Sequence, residues 1–413
     1  MIAARLIFAY LRDRPLSAFL FALLTAIGVA AAAALTLFAA QSEARLTRDA
    51  RHIDLVVGHK GSPLQLVLSA VFHADVPTGN LPYAEAERLQ RDRRVLAAVP
   101  IAMGDSVRGV RIIGAPNALF DLYDARITRG RAPQAPFEAA LGAQAARQLG
   151  LDVGATFVGA HGLGDGGGAH DAHPYRVVGV LSETGAALDR LAVTPHESVW
   201  TLHPPATAGA TLQVEHHDHA HADDAAPLRD PQSETTAILV RTRSPLFALS
   251  LKQEINAATP YMAARPAEET SRFFALIGQG AAALQAFAAL LIAAAALATF
   301  ATLLTALRAQ RGDIALLRVM GATRLTVFAV LLGQGLAIAA FGALIGLALG
   351  HGAIEIFARV SPQAQGFGLT GFAFAPEEWI ILAGALVAGA LAALAPALAA
   401  YRTDIARTLS EAA

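Results

Sequence analysis

"LSAFLFALLTAIGVAAAAALTLFAA" fills residues 16–40 without one charged side chain. A helix needs about 20 apolar residues to cross the hydrocarbon core of a bilayer, and this run has 25. Three more follow, at 273–307 (35 residues), 325–354 (30) and 379–400 (22), each equally free of charge. Four such runs in 413 residues read as four transmembrane helices, and they leave only 16 % of the chain charged against the ~25 % of an ordinary soluble protein. A net charge of −1 argues against nucleic acid as a partner, because binding it takes a basic surface. The chain has no cysteine, which excludes disulfides and thiolate metal sites.

The flanks of these runs set the orientation. Arginines gather before the first run (Arg5, Arg12, Arg14), between the second and third (Arg308, Arg311, Arg318, Arg324) and after the fourth (Arg402, Arg407). With four crossings these segments share one side, and short basic loops stay in the cytoplasm. The predicted layout is therefore a cytoplasmic N-terminus (1–15), transmembrane helix 1 (16–40) and an external α/β domain (41–270). A long transmembrane and stalk helix 2 (271–307), a cytoplasmic loop (308–324) and transmembrane helix 3 (325–351) come next. An external loop (352–377), transmembrane helix 4 (378–401) and a cytoplasmic tail (402–413) complete it. The first run exceeds the ~7–15 apolar residues of a signal peptide, so it is expected to stay as an anchor.

The segment between the first two runs is long enough to bury its own core. β-branched or alternating stretches predict strands over 53–59, 64–72, 107–115, 155–160, 175–181, 211–216 and 236–242. Helices are expected over 83–95, 137–149 and 246–259, the second stopped by Gly150. The stretches 161–174 and 203–210 read as loops or subdomain boundaries. One helix of 35 residues would be roughly 52 Å long against a hydrocarbon core of about 30 Å. The surplus, with 42–51 rising beside it, predicts a two-helix stalk.

"RGDIALLRVMGATR" (311–324) lies between the second and third apolar runs. On a helix Ile314, Leu317 and Gly321 share one face while Arg311, Ala315 and Arg318 share another. Such an element suits a membrane corner that a second protein grips, and Gly321 is placed to end or kink it. In the third run Gly342, Gly346 and Gly350 recur every four residues, the spacing of close helix packing. Pro396 is placed to kink the fourth.

The stretch "RAQRGDIALLRVMGATRLTVFAVLLGQGLAIAAFGALIG" (308–346) resembles the signature region of FtsX-like ABC transporter permeases, the macrolide-exporter and lipoprotein-release type. The pattern falls on Asp313, Ile314, Leu316, Leu317, Arg318, Gly321, Ala322 and Arg324, while Gln334 stands where many relatives carry glutamate. "EAALGAQAARQLGLDVGATFVG" (138–159) and "HPYRVVGVLSETGAALDRLAVTP" (173–195) resemble the family's external domain, and the order of one span, large domain and three spans agrees.

The resemblance implies a permease dimer in a bacterial inner membrane, with the 41–270 domain and the 352–377 loop in the periplasm and 308–324 as a cytoplasmic coupling loop. It implies two bound copies of a cytoplasmic ABC ATPase, with ATP and Mg²⁺ on that partner and a periplasmic or outer-membrane protein as a further partner. It assigns coupling to the ATPase to Arg311, Asp313, Ile314, Leu317, Arg318, Gly321, Ala322 and Arg324. This chain has no G-x-x-x-x-G-K-[ST] loop, and no nucleophile elbow or zinc-protease helix, so it reads as a non-catalytic subunit. The expected work is export or extraction of a lipoprotein, lipid-linked molecule, peptide or drug. Two alternatives stay open: a transmembrane regulator of a periplasmic cell-wall hydrolase, and a membrane-anchored metal-binding or sensing protein.

The metal alternative rests on "VEHHDHAHADD" (214–224), which brings together His216, His217, His219, His221, Asp223 and Asp224, with a second group at His161, His170, Asp171 and His173. Neutral imidazoles and carboxylates are ligands for zinc and similar divalent ions. Titration of Zn²⁺ into the 41–270 domain by calorimetry is the check. Micromolar binding that disappears when the four clustered histidines become alanine is expected, and no heat in that range retires the site.

Overall fold

The computed structural model describes residues 12, 15–160, 173–203, 233–309, 318–361 and 368–402. In chain order, α1 (Pro15–Asp49) is followed by β1 (Leu55–His59), α2 (Pro63–Ala70), β2 (Leu81–Pro82), α3 (Ala84–Gln90), β3 (Val95–Val107) and β4 (Val110–Gly114). Next come α4 (Ala118–Leu122), β5 (Ile127–Gly130), β6 (Glu138–Leu141), α5 (Ala143–Leu149), β7 (Thr156–Phe157) and β8 (Tyr175–Leu181). A 3-10 turn (Ala187–Arg190) introduces β9 (Leu191–Thr194), α6 (His196–Leu202), β10 (Glu234–Thr235), β11 (Ala237–Thr242), α7 (Pro245–Ala258) and β12 (Tyr261–Ala264). Three long helices follow: α8 (Pro266–Ala309), α9 (Arg324–Val360) and α10 (Glu378–Arg402). The chain divides into a membrane unit, Met1–Glu43 with Leu276–Ala413, and a second unit, Ala44–Ala275.

In the membrane unit, α1, α8, α9 and α10 are each long and apolar enough to cross a bilayer. Lipid tails are as apolar as leucine, so these helices associate through close fit and not through hydrophobic exclusion. The burial pattern follows that rule. Val29, Ala33, Ala343, Ala385, Ala393 and Ala397 are buried, whereas Leu284, Phe287, Leu290, Phe341, Leu344 and Ile380 face outward. Gly342, Gly346 and Gly350 meet α1 backbone to backbone: a Cβ at these positions would stand 2.6 Å from the Ala22 carbonyl, 2.5 Å from that of Ala26 and 2.9 Å from that of Ala30. A second close crossing joins α9 to α10 at Gly335 and Gly389.

At one end of this unit, polar side chains tie the segment after α9 in place. Gln41 donates to the Thr370 carbonyl (2.8 Å) and accepts from the Thr370 N–H (2.9 Å). Glu355 accepts from the Gly371 N–H at 3.0 Å. His351 contacts the Gly371 carbonyl through Nδ1 (2.6 Å) and Glu378 through Nε2 (2.7 Å).

The second unit is the large mixed α/β extracytoplasmic domain. Its main sheet runs β12-β1-β11-β3-β4-β9-β6-β8-β5, with β7 on β8. Pairing is antiparallel except for β4 with β9 and β6 with β8. The long β3 pairs with β11 through its first part and with β4 through its last, with a register shift between Met103 and Ser106. Its main core includes Val56, Leu66, Ile101, Ile113, Leu119, Leu188 and Leu239.

Strands appear where expected at β1, β4, β8 and β11, and α7 matches the 246–259 helix within a residue. Gly150 adopts φ +66°, a left-handed cap that ends α5. Three expectations need correction. Residues 64–72 were read as a strand but form α2: Pro63 takes the first turn and the Ser62 hydroxyl accepts from the Gln65 N–H, a helix start. The 137–149 segment is half strand and half helix, because Glu138–Leu141 pairs with β8 and β9 before α5 begins. The 83–95 helix stops at Gln90, and Val95 opens β3. The 211–216 strand and the 161–172 and 204–210 stretches lie outside the described residues.

Gly346→Leu tests the membrane packing. The Ala26 carbonyl is backbone and cannot step aside, so overpacking is expected to cost about 3 kcal/mol, read as a lowered melting midpoint in detergent. Gly384→Leu, with nothing within 4 Å, is expected to leave the midpoint unchanged.

Candidate functional site

Two places are candidates, one in each unit. The first is the corner where the chain enters α9. Arg318 and Val319 are helical, and the turn at Met320–Gly321 is closed by the Gly321 N–H donating to the Arg318 carbonyl at 3.1 Å. Gly321 sits at φ +102°, a conformation that side chains resist. Thr323 then caps α9, its hydroxyl accepting from the Thr326 N–H at 3.1 Å.

The corner exposes apolar surface: Val319 is 65 %, Met320 75 % and Leu325 66 % accessible. Arg324 stands exposed beside them, while Ala322 is half-buried. Beneath, Leu307, Val327, Leu331, Ala397 and Ala400 form one cluster joining α8, α9 and α10. Arg311, Asp313, Ile314 and Leu317 lie outside the described residues. The sequence reading passed over Val319, Met320 and Leu325, although two apolar residues ahead of a turn glycine were the available signal.

The second place is the end of α1 inside the 44–275 unit. Leu46 of α1 is buried in the main core, and Phe273 and Phe274 of α8 pack against that same core. Next to it Asp49, only 1 % exposed, accepts from Arg190 Nη2 at 2.9 Å and lies 3.7 Å from Arg45 Nε. Burial pushes the Asp49 carboxyl up to about 7 against the pull of Arg45 and Arg48. Burial likewise lowers Arg45, while Asp49 favours its charge.

Arg190 is aimed by its neighbour. Asp189 accepts from the backbone N–H of Thr184 (2.9 Å) and Gly185 (2.7 Å) and from the Thr184 hydroxyl (2.8 Å). Gly185 takes φ +72° within this turn. The "TGAALD" motif thus builds a rigid loop that delivers Arg190 to the helix end. Asp49 was invisible in the sequence because "QSEARLTRDA" (41–50) reads as an ordinary polar helix surface.

Of the histidines, the 216–224 tract and His161, His170 and Asp171 lie outside the described residues. Among the described residues, no group of three or more His, Cys, Asp or Glu is placed to hold a metal ion. His173 stacks on Phe137 at 5.1 Å. His203 meets Asp105 at 3.1 Å. His196 is packed between Tyr83 and Trp200, where burial pushes its imidazole down to about 3.

Removing Asp49 is expected to strand Arg190. Asp49→Ala should cost about 3 kcal/mol, seen as a fall in the thermal midpoint of the purified protein. Adding Arg190→Met should return most of it, because the uncompensated charge is then gone.

Comparison with known proteins gives two family matches. The MacB-like periplasmic core domain matches residues 18–258 and the FtsX-like permease C-terminal family matches residues 286–405. Among solved structures, the extracellular domain of the noncanonic ABC-type transporter YknZ from Gram-positive bacteria is similar at 14 % identity and a TM-score of 0.30, over 51 % of this chain and 98 % of that one. No curated protein matches.

Proposed function

Because the chain belongs to the FtsX/MacB-like permease family, whose members partner with a cytoplasmic ABC ATPase, we propose that it transmits that ATPase's cycle to its own extracytoplasmic domain. The output is export or extraction of a lipoprotein, lipid-linked molecule, peptide or drug. ATP and Mg²⁺ stay on the partner chain, with two ATPase copies serving a permease dimer. A periplasmic or outer-membrane protein then receives the substrate.

The observation that carries this reading is the length and rooting of two helices. α1 has 35 residues and α8 has 44, roughly 52 and 66 Å at about 1.5 Å per residue, against about 30 Å of hydrocarbon. Each sets apolar side chains against the main core of the domain, Leu46 from α1 and Phe273 and Phe274 from α8. On this reading, movement of either helix is passed to that core.

The input is assigned to the loop that includes Arg311, Asp313, Ile314, Leu317, Arg318, Gly321, Ala322 and Arg324. Exposed Val319, Met320 and Leu325 would supply an apolar footing for the ATPase, with the arginines as its polar rim. The small-residue seam at Gly342, Gly346 and Gly350 would let α1 and α9 move as one block.

Ile314→Asp and Leu317→Asp in a reconstituted complex with a cognate ABC ATPase provide the test. Each is expected to lower permease-dependent ATP turnover by about tenfold, ~1.4 kcal/mol of coupling, with an unchanged elution profile. Normal turnover and co-purification in both variants would remove the loop from the coupling path. Labelling that put residues 311–324 on the same side of the membrane as the 41–270 domain would end the reading altogether.

A further inference from the structure

The end of α1 borders a hollow of about 120 Å³ in the extracytoplasmic domain, well above the ~10–15 Å³ that admits one water. Arg48, Arg51 and His52 line it from the helix end, Tyr123 and Asp124 from the end of α4, and Glu183, Thr184 and Ala186 from the loop that Asp189 braces. Tyr123 is 6 % exposed, and its hydroxyl has no hydrogen-bond partner among the described residues. Arg48 and Arg51 are exposed, and neither joins an ion pair or a side-chain hydrogen bond among the described residues.

Each of the two lining carboxylates has a basic neighbour: Glu183 accepts from Arg147 at 3.0 Å, and Asp124 faces His52 at 3.5 Å. Asp49, close enough for its charge to act on Tyr123, gives one oxygen to Arg190 at 2.9 Å, while its other oxygen has no hydrogen-bond partner among the described residues. Asp189 spends both oxygens on the 184–185 backbone. His52 Nδ1 lies 3.2 Å from the Leu122 carbonyl and must carry a proton to bond it. The lining charges left without an ion-pair partner among the described residues are the two guanidiniums, beside the buried Tyr123. A buried hydroxyl gains about 1–3 kcal/mol when it finds a hydrogen-bond partner.

We infer that this hollow binds a small oxyanion, a phosphate- or carboxylate-bearing group, between Arg48, Arg51 and the Tyr123 hydroxyl. Guanidiniums suit such groups because their planar N–H forks match two oxygens at once. The lysine-type alternative, a point charge, is not what the sequence supplies here. Position gives the site its interest. Arg48 belongs to the last turn of α1, whose Asp49 is tied to Arg190, so occupancy bears directly on the attachment of a membrane helix to the domain. The inference does not depend on the export reading, because binding is measured on the chain alone.

Full-length protein in detergent is titrated by calorimetry with inorganic phosphate, with acetate, and with a water-soluble short-chain phosphatidylglycerol, at constant chloride. Saturable binding by at least one probe at millimolar concentration or below is expected, weakened by about tenfold or more in the Arg48→Gln/Arg51→Gln double variant. Both arginines are exposed, so that variant should fold normally, and circular dichroism checks it. Tyr123→Phe is expected to weaken binding by a smaller factor. Binding of the lipid alone identifies a headgroup site, and binding of phosphate or acetate identifies a site for free oxyanions. No heat from any probe up to ~10 mM, or equal binding by the double variant, overturns the inference.

Discussion

Hydrocarbon offers a peptide group no hydrogen-bond partner except the helix it belongs to. That constraint keeps α1, α8, α9 and α10 unbroken and removes side-chain polarity from their surfaces. With no hydrophobic drive to bring helices together inside lipid, contact must come from fit, which is why the seams of α9 are glycine and alanine. The same constraint explains the length of α1 and α8. A helix that leaves the membrane still helical arrives at the next compartment with its ladder intact, and these two end in side chains packed on a protein core.

The attachment at the end of α1 obeys a different balance. Leu46 stabilises by removal from water, a term without direction. Asp49 and Arg190 contribute direction: the pair costs desolvation on both sides and holds only one geometry. Register along a helix is what an apolar contact specifies poorly and an ion pair specifies well. The Asp189 loop exists to keep Arg190 at the right height, since its carboxylate is used up by Thr184 and Gly185 before any charge partner is reached.

Legibility in the sequence followed the length of each signal. Apolar runs of 22 to 35 residues have no competing reading, so the four helices were plain, as were strands such as Tyr175–Leu181 where β-branched residues dominate. "LQLVLSAVF" (64–72) is apolar at both periods, and only Ser62 and Pro63 ahead of it decide for helix. The 137–149 stretch changes state at Gly142, whose place a Cβ could not share with the Leu188 and Asp189 backbone. No propensity reveals that. Asp49 was hidden for a related reason, since its partner lies 141 residues away. The arginine loop and the histidine tract drew the most attention in sequence, yet half of the former's named residues and all of His216, His217, His219 and His221 lie outside the described residues.

His351 and Glu378 show how the bundle accommodates an ionisable pair at one end. His351 Nδ1 faces a carbonyl oxygen at 2.6 Å, so it carries a hydrogen. One proton then lies between Nε2 and the Glu378 carboxyl at 2.7 Å, and the pair is neutral overall whichever atom holds it. Glu378 is wholly buried, with its other oxygen accepting from the Ala375 N–H at 2.9 Å, so each polar atom has a use. Inward from this pair, residues 325–350 and 379–400 contain no ionisable side chain. A proton taken here has no side chain to pass to. The pair therefore serves as a clamp between α9 and α10.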